Sequence, residues 1–433
     1  MLWFAAPPVA PGSTEGTFET IDVARLRVGM FVRLDVGWMN HPFPVSQFRL
    51  SSPAQIDVLR STGVHQVRWS PALSHLAAEA APEAPAAPTA PEPPKADPAA
   101  DELCRQRDAL ARCEQQFAEV ADALRDITRA VPASPLLAGR QADALARALV
   151  RKLGDAGDTC VQLLADAAAD DGTGHAVNVS VMSLLLGRAL GCSPAELAEL
   201  ALGALLHDVG KLELPPERWH AQPASGALHQ SAYRSHVALG VAQARRMALP
   251  RRAKLVIAQH HERDDGQGFP MRTAGGRIDP LARVVAIANR YDNLCNGPWP
   301  GQALTPHEAL ARLFGEEAAA FERSLLEHFV RVVGVYPPGT AVQLSDDRYA
   351  LVVAVDPARP LRPRLLLHEP GRPATEAAFT ELATQPRLSI RRSLRPEALP
   401  PEVRRQLAPR SRLRYFWECV PAPADTTPPA GAM

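Results

Sequence analysis

The sequence predicts a mainly α-helical bundle, preceded by a small α/β module and followed by a β-rich extension. Three observations carry this. From about Leu136 to Glu327 apolar residues recur with helical spacing, broken by short Gly/Pro loops. Residues 18 to 70 mix short strand-like stretches with one helix signal. Beyond Val330 the texture turns to short runs rich in β-branched residues.

In the N-terminal module (18–70), Val28–Val36 and Phe48–Leu50 read as strands. Ser51-Ser52-Pro53 starts a helix, Ile56, Leu59 and Arg60 continue it, and Gly63 ends it. Val64–Trp69 is a further strand, and Trp38 and Phe43 are expected in the core. The Ala/Pro tract at 71–100 cannot build a core and reads as an extended linker. Asp101 opens a connecting helix (101–131) with Leu103, Leu110, Phe117, Val120, Leu124 and Ile127 at amphipathic spacing, suited to packing or dimerisation. Val131-Pro132 breaks it. The bundle occupies 135–335. In the extension (336–420), Thr340–Leu344, Tyr349–Val355 and Leu365–Leu367 read as strands, and 421–433 reads as a disordered tail.

A chain of 433 residues, 46% hydrophobic, has room for two or three domains. Lys plus Arg equals Asp plus Glu at 47 each, which argues against bulk attraction to nucleic acid polymers or anionic membranes. Any phosphate-handling site must be local. Six scattered cysteines with no CxxC pair fit a reduced, cytoplasmic protein and argue against a structural zinc. The apolar start at Met1 lacks a basic region and does not read as a signal peptide. No apolar run reaches the roughly 18 residues needed to cross a bilayer. A soluble protein is expected.

The chemistry concentrates in the helical middle. His175 opens an apolar helix (Val177–Leu190), and His207-Asp208 ends another (Ala195–Leu206). His236 lies in a third, His260-His261 ends a helix beginning near Pro250, and Asn289 and Asp292 end one spanning Leu281–Ala288. One such histidine is ordinarily a cap or a solvated residue. Several at the ends of apolar helices can converge on one pocket of a bundle. Imidazole and carboxylate without thiolate suit iron, manganese or zinc in a hydrolytic site. Neighbours on a helix point about 100° apart. His207-Asp208, and by the same argument His260-His261, therefore suit the boundary of two adjacent ions.

These residues carry a resemblance. His207-Asp208 with Lys211 resembles the core of the HD superfamily of metal phosphohydrolases. Residues 260–270, reading HHERDDGQGFP, resemble the longer signature of its HD-GYP branch, with Phe269 in place of tyrosine. The segment from Ile21 through Val32, with Trp38, His41-Pro42-Phe43 and Leu59–Val67, is similar to a domain of unknown function that often precedes HD-GYP domains. The resemblance covers about residues 135–335. It implies metal ligands at His175, His207, Asp208, His236, His260 and His261. Asp171 matches an acidic position that helps hold an additional ion. Lys211 matches the lysine that contacts the scissile phosphate. Arg263, Asp265, Gly266, Gly268, Phe269 and Pro270 belong to the signature, and Glu262 is either a partner orienting the ligand histidines or a surface residue.

The resemblance further implies a cytoplasmic phosphodiesterase with two or three divalent transition metals, iron or manganese. It would hydrolyse cyclic di-GMP, or a related cyclic dinucleotide, to the linear dinucleotide or GMP. Asp208 would bridge the ions and Lys211 would stabilise phosphoryl charge. Signalling-protein partners and a homodimer are compatible with this. Three departures stand out. The last metal aspartate of the family falls on Asn289, which brings no charge. Residues 296–300 (Asn296, Gly297, Pro298, Trp299, Pro300) replace an RPYR-like segment whose cations hold substrate phosphates. Phe269 lacks the tyrosine hydroxyl. The alternative reading is a partly degenerate domain that signals through nucleotide or protein contacts with little catalysis. A nucleotidase acting on mononucleotides fits the His-His-Glu-Arg signature less well.

Overall fold

A computed structural model describes residues 18–34, 47–50, 53–61, 66–74, 98–155, 158–164, 172–220, 227–297, 302–371 and 379–420. Trp38, Phe43, Gly63, Asp171, Pro298 to Pro300, the tail and most of the Ala/Pro tract lie outside them. The chain divides into two compact units, Met1–Arg112 and Cys113–Met433.

The first unit contains β1 (Glu19–Asp22), β2 (Phe31–Arg33), β3 (Gln47–Arg49), α1 (Pro53–Ser61) and β4 (Gln66–Ser70). Its antiparallel sheet has the order β1-β4-β2-β3. Ile56 and Leu59, three apart on α1, join Val23, Leu26, Met30, Val32, Leu50 and Val67 in one core. Gly29 adopts φ +96° in the turn before β2, a conformation that favours glycine. Helix α2 (Pro98–Ala130) begins before Asp101, and the division between units falls within it.

The second unit holds the remainder of α2, then α3 (Pro135–Asp155), β5 (Asp158–Leu163), α4 (Thr173–Ala189) and α5 (Pro194–Leu206). Next come α6 (Ala227–Arg246), α7 (Arg251–Gln259), α8 (Pro280–Cys295), α9 (Pro306–Phe314) and α10 (Arg323–Val333). Helix α4 is buried on every side from Ala176 to Gly187 except at its start, the mark of a central helix. Helix α5, started by a Ser193/Glu196 capping box, is likewise buried from Leu197 to Leu206. Around this pair pack α3, α7 and α8.

The region expected to be almost wholly helical contains a strand, β5. It joins a seven-stranded sheet with β6 (Ala341–Leu344), β7 (Tyr349–Val355), β8 (Arg364–Leu367), β9 (Phe379–Glu381), β10 (Ile390–Leu394) and β11 (Tyr415–Val420). Between β10 and β11 lies the short helix α11 (Pro401–Leu407). Strand β5 pairs antiparallel with the whole of β11, from Asp158–Val420 to Leu163–Tyr415, and also with β7. Tyr415, Phe416 and Trp417 are all buried, so β11 is covered on both faces, with α4 among its neighbours. Helix α8 continues to Cys295, which puts Asn289 and Asp292 inside it, not at its end. None of the described helices is long and apolar enough to cross a membrane.

Candidate metal centre

The two buried helices meet at opposite ends. His175 is in the first turn of α4, and His207 caps the C-terminus of α5. Asp208 then opens a short 3₁₀ turn (Val209–Glu213) that packs on α6. The approach is close enough to require glycine: a Cβ on Gly210 would lie 1.9 Å from the carbonyl oxygen of His236. This contact fixes Asp208 against His236.

Asp208 lies at the middle of the cluster. Its Oδ2 is 3.3 Å from His207 Nε2 and 3.8 Å from His175 Nε2. Its Oδ1 is 3.3 Å from His236 Nε2 and 3.8 Å from His260 Nε2, and makes no hydrogen bond among the described residues. Lys211 Nζ donates to Oδ2 at 2.6 Å. Two donor groups result, sharing this one carboxylate: His175, His207 and Asp208, and Asp208, His236, His260 and His261.

The tautomers follow from the backbone. His207, His236 and His260 each donate Nδ1–H to the carbonyl three residues earlier, on Ala204, Tyr233 and Ile257. When neutral, each ring therefore turns a bare Nε2 lone pair inward. The Nε2 atoms of His175 and His207 are 3.2 Å apart, and those of His236 and His260 are 3.3 Å apart. Lone pairs this close repel unless a cation stands between them. With metal–nitrogen bonds of about 2.1 Å, neighbouring ligands in one coordination sphere would stand about 3.0 to 3.4 Å apart. The donor set fits divalent metal ions.

Charge in the cluster agrees. Burial pushes the Asp208 carboxyl up, but Lys211 and the surrounding histidines outweigh it and hold it well below the usual range. Burial, aided by mutual repulsion, pushes His260 and His261 well below the ordinary imidazole value and lowers His236. His175 goes the other way. Burial opposes its charge, yet a 2.6 Å hydrogen bond to Asp292 Oδ2 and the negative charge of that carboxylate raise it.

Residues 158–325 match the family described as HD domain, and residues 19–142 match a domain of unknown function, DUF3391. A cyclic di-GMP phosphodiesterase of Pseudomonas aeruginosa is 29% identical over 358 residues, 80% of this chain and 84% of the relative. A 3'3'-cGAMP-specific phosphodiesterase of Vibrio cholerae is 29% identical over 160 residues, 35% of this chain and 30% of the relative. Among solved structures, one described as an HDG"Y"P protein from Bdellovibrio bacteriovorus aligns with TM-score 0.41 and 14% identity, covering 72% of this chain and 98% of that one. The chain carries an HD domain behind a DUF3391 domain, the arrangement that its resemblance to HD-GYP proteins implies.

In this HD domain, six sequence-predicted donors (His175, His207, Asp208, His236, His260 and His261) come together with Lys211. Two expectations change. His260 and His261 fall in one donor group and not at the boundary of two. Both stand at the C-terminal end of α7, and both rings belong to the same group as His236. Among the described residues, Glu262 makes its side-chain hydrogen bonds to backbone and not to the histidines, and it does not lie on the surface. It is 3% exposed and accepts the backbone N–H groups of Met271 and Thr273, tying down the loop after the signature.

The signature loop packs onto the site. Phe269 stacks on His261 with ring centroids 4.3 Å apart. Arg263 pairs with Asp265 at 2.7 Å, and Gly268 has no room for a side chain beside Glu262. Gly266 takes φ +73°, and Pro270 is exposed. Asn289 is 4% exposed and faces the cavity beside Lys211, His260 and His261. Its Oδ1 accepts the Asn293 amide at 2.7 Å.

That cavity measures about 720 Å³, within the usual range for a ligand site of roughly 300–1,000 Å³. Five cations (Lys211, Arg234, Arg263, Arg290 and Arg312) line it against two carboxylates, Glu262 and Glu317. Sequence reasoning named Lys211 and Arg263 but missed Arg234, Arg290 and Arg312, which come from three separate helices, α6, α8 and α9. It also missed His220 at the cavity wall. Tyr233, with Oη 3.3 Å from His261 Nε2, was missed as well. Asn178 had a signal: it is a lone amide in the apolar run of α4, one turn after His175.

Proposed function

We propose that this protein is a metal-dependent phosphodiesterase that hydrolyses cyclic di-GMP to linear pGpG, GMP or both. The observation that carries the reading is the division of Asp208. Each of its oxygens faces a different set of histidines, and a cation-lined cavity opens beside it. His175 and His207 would hold one ion, His236, His260 and His261 another, and Asp208 would bridge them. Iron or manganese suits these nitrogen and oxygen donors. Divalent ions held there supply Lewis acidity, making water nucleophilic near neutral pH and polarising a phosphoryl oxygen.

The protein's own residues do the rest. Lys211, anchored on Asp208, presents its ammonium where a scissile phosphate would sit and stabilises charge that grows there. Arg290 and Arg312 are held by Glu317, with Arg290 contacting it at 2.7 and 2.5 Å, so they are pre-positioned for phosphates. Relatives named as phosphodiesterases of cyclic di-GMP and of 3'3'-cGAMP support a cyclic dinucleotide substrate.

A second reading rests on Asn289. A neutral amide whose oxygen already accepts from Asn293 is a poor anionic ligand, which favours a domain that binds nucleotide with little turnover. Incubating metal-loaded protein with cyclic di-GMP and separating the products decides between them. Release of pGpG or GMP, abolished by His207→Ala with Asp208→Ala, supports the enzyme. Nucleotide binding without product supports the second reading.

A further inference from the structure

The carboxylate that orients His175 is itself held by the C-terminal part of the chain. Asp292 is fully buried and accepts three hydrogen bonds: from His175 Nδ1 at 2.6 Å, Asn178 Nδ2 at 2.8 Å and Asn296 Nδ2 at 2.9 Å. Neither asparagine stops there. Asn178 Nδ2 also donates to the Leu413 carbonyl at 2.8 Å, and its Oδ1 accepts the Tyr415 N–H at 3.0 Å. Asn296 Nδ2 donates to the same carbonyl at 2.9 Å, and its Oδ1 accepts the Leu413 N–H at 2.8 Å.

Each amide is thus an adapter between backbone and carboxylate, and its orientation is forced. Turned over, it would set its oxygen against the Asp292 carboxylate and the Leu413 carbonyl, and its N–H against a backbone N–H. The polarity of the chain at Leu413–Tyr415 therefore fixes both amides as donors to Asp292. Asp292 in turn accepts from His175 Nδ1, which leaves His175 Nε2 bare toward His207 and Asp208. The segment leads into β11, which is anchored along β5, with the Trp417 carbonyl accepting from Cys113 Sγ on α2 at 3.5 Å. It lies beyond the matched HD domain, which ends at residue 325.

We infer that Leu413–Tyr415 is a positioning element of the metal centre, acting through Asn178 and Asn296 on Asp292 and selectively on the His175/His207 subsite. The inference rests on the metal reading given above. Asn178, Asn296 and Asp292 are positioning residues, and the Asp208/His236/His260/His261 group does not depend on them.

Metal titration of the full chain with Mn²⁺ tests it, with thermal unfolding alongside. Asn296→Leu removes one adapter. Leu413→Pro removes a single backbone donor, and Leu413→Ala controls for lost packing because it keeps that donor. The parent and Leu413→Ala are expected to bind two ions. Asn296→Leu and Leu413→Pro are expected to keep one ion at parental affinity and to bind the other roughly 10–100-fold more weakly. Misfolding would disturb both ions, which separates it from this outcome. Parental affinity for both ions in Asn296→Leu and Leu413→Pro overturns the inference and leaves the metal reading intact. A parent that takes up no metal overturns both.

Discussion

Replacing Asn289 by aspartate places a negative charge on a side chain that is 4% exposed. Two effects of opposite sign follow. In metal-free protein the new carboxylate keeps the Asn293 amide, which donates to this position at 2.7 Å, and shares the cavity with Lys211 and Arg290. It is otherwise largely buried. An incompletely paired buried group costs about 1–3 kcal/mol, so metal-free Asn289→Asp is expected to be less stable by that amount. With metal, the charged oxygen tightens binding. A tenfold gain in affinity is about 1.4 kcal/mol, returned to the folded state when the site is saturated. Turnover of cyclic di-GMP should rise roughly tenfold, the same 1.4 kcal/mol in the barrier. The assay is thermal unfolding with chelator and with saturating Mn²⁺, followed by product analysis. If the parent is fully active and the variant changes neither metal affinity nor turnover, the reasoning is refuted: Asn289 coordinates adequately or stands outside the coordination sphere. If metal binds but turnover is absent before and after, the missing cations at Gly297 and Pro300 become the defect, and Gly297→Arg tests that.

Lys211→Met removes the ammonium paired with Asp208 and is expected to lower turnover roughly 100-fold with metal content kept; undiminished turnover would remove Lys211 from the chemistry. Glu317 gives a pH test. Burial opposes its ionisation, but Arg290, then Arg312, outweigh this and hold its carboxyl below 4.5. Its contribution is therefore present above pH 4.5 and lost as pH falls toward the folded-state value. Glu317→Gln should lower stability at pH 7 by about 1 kcal/mol, after discounting for the exposed side of Arg290, and flatten the acid limb of the stability profile. Identical acid limbs would contradict this. Burial also pushes the Cys160 and Cys295 thiols well up, so both should resist a thiol reagent at pH 8 until the protein unfolds; rapid labelling of native protein would show that they are not shut away.

The helices and the donors were legible because both signals are local. Apolar residues at helical spacing mark α4 and α5, and His175 and His207-Asp208 stand at the edges of those runs. The signature at 260–270 gave His260 and His261 of the second group. What escaped depends on distant pairing. Nothing in residues 158–163 reveals that they lie beside 415–420, so β5 was read as part of a helical region. Asp292 was noticed beside Asn289, but its role depends on Asn178, 114 positions away, and on a backbone carbonyl at Leu413. Glu262 was misjudged for the same reason, since its partners are backbone N–H groups that carry no residue-type signal.

The central claim is that Asp208 joins two metal subsites. Metal content per chain tests it most directly, measured after anaerobic purification with added iron or manganese, for the parent, for His236→Ala and for His207→Ala with Asp208→Ala. The account predicts about two ions in the parent, about one in His236→Ala and none in the double variant. A parent without metal, or a double variant that retains both ions, would contradict it.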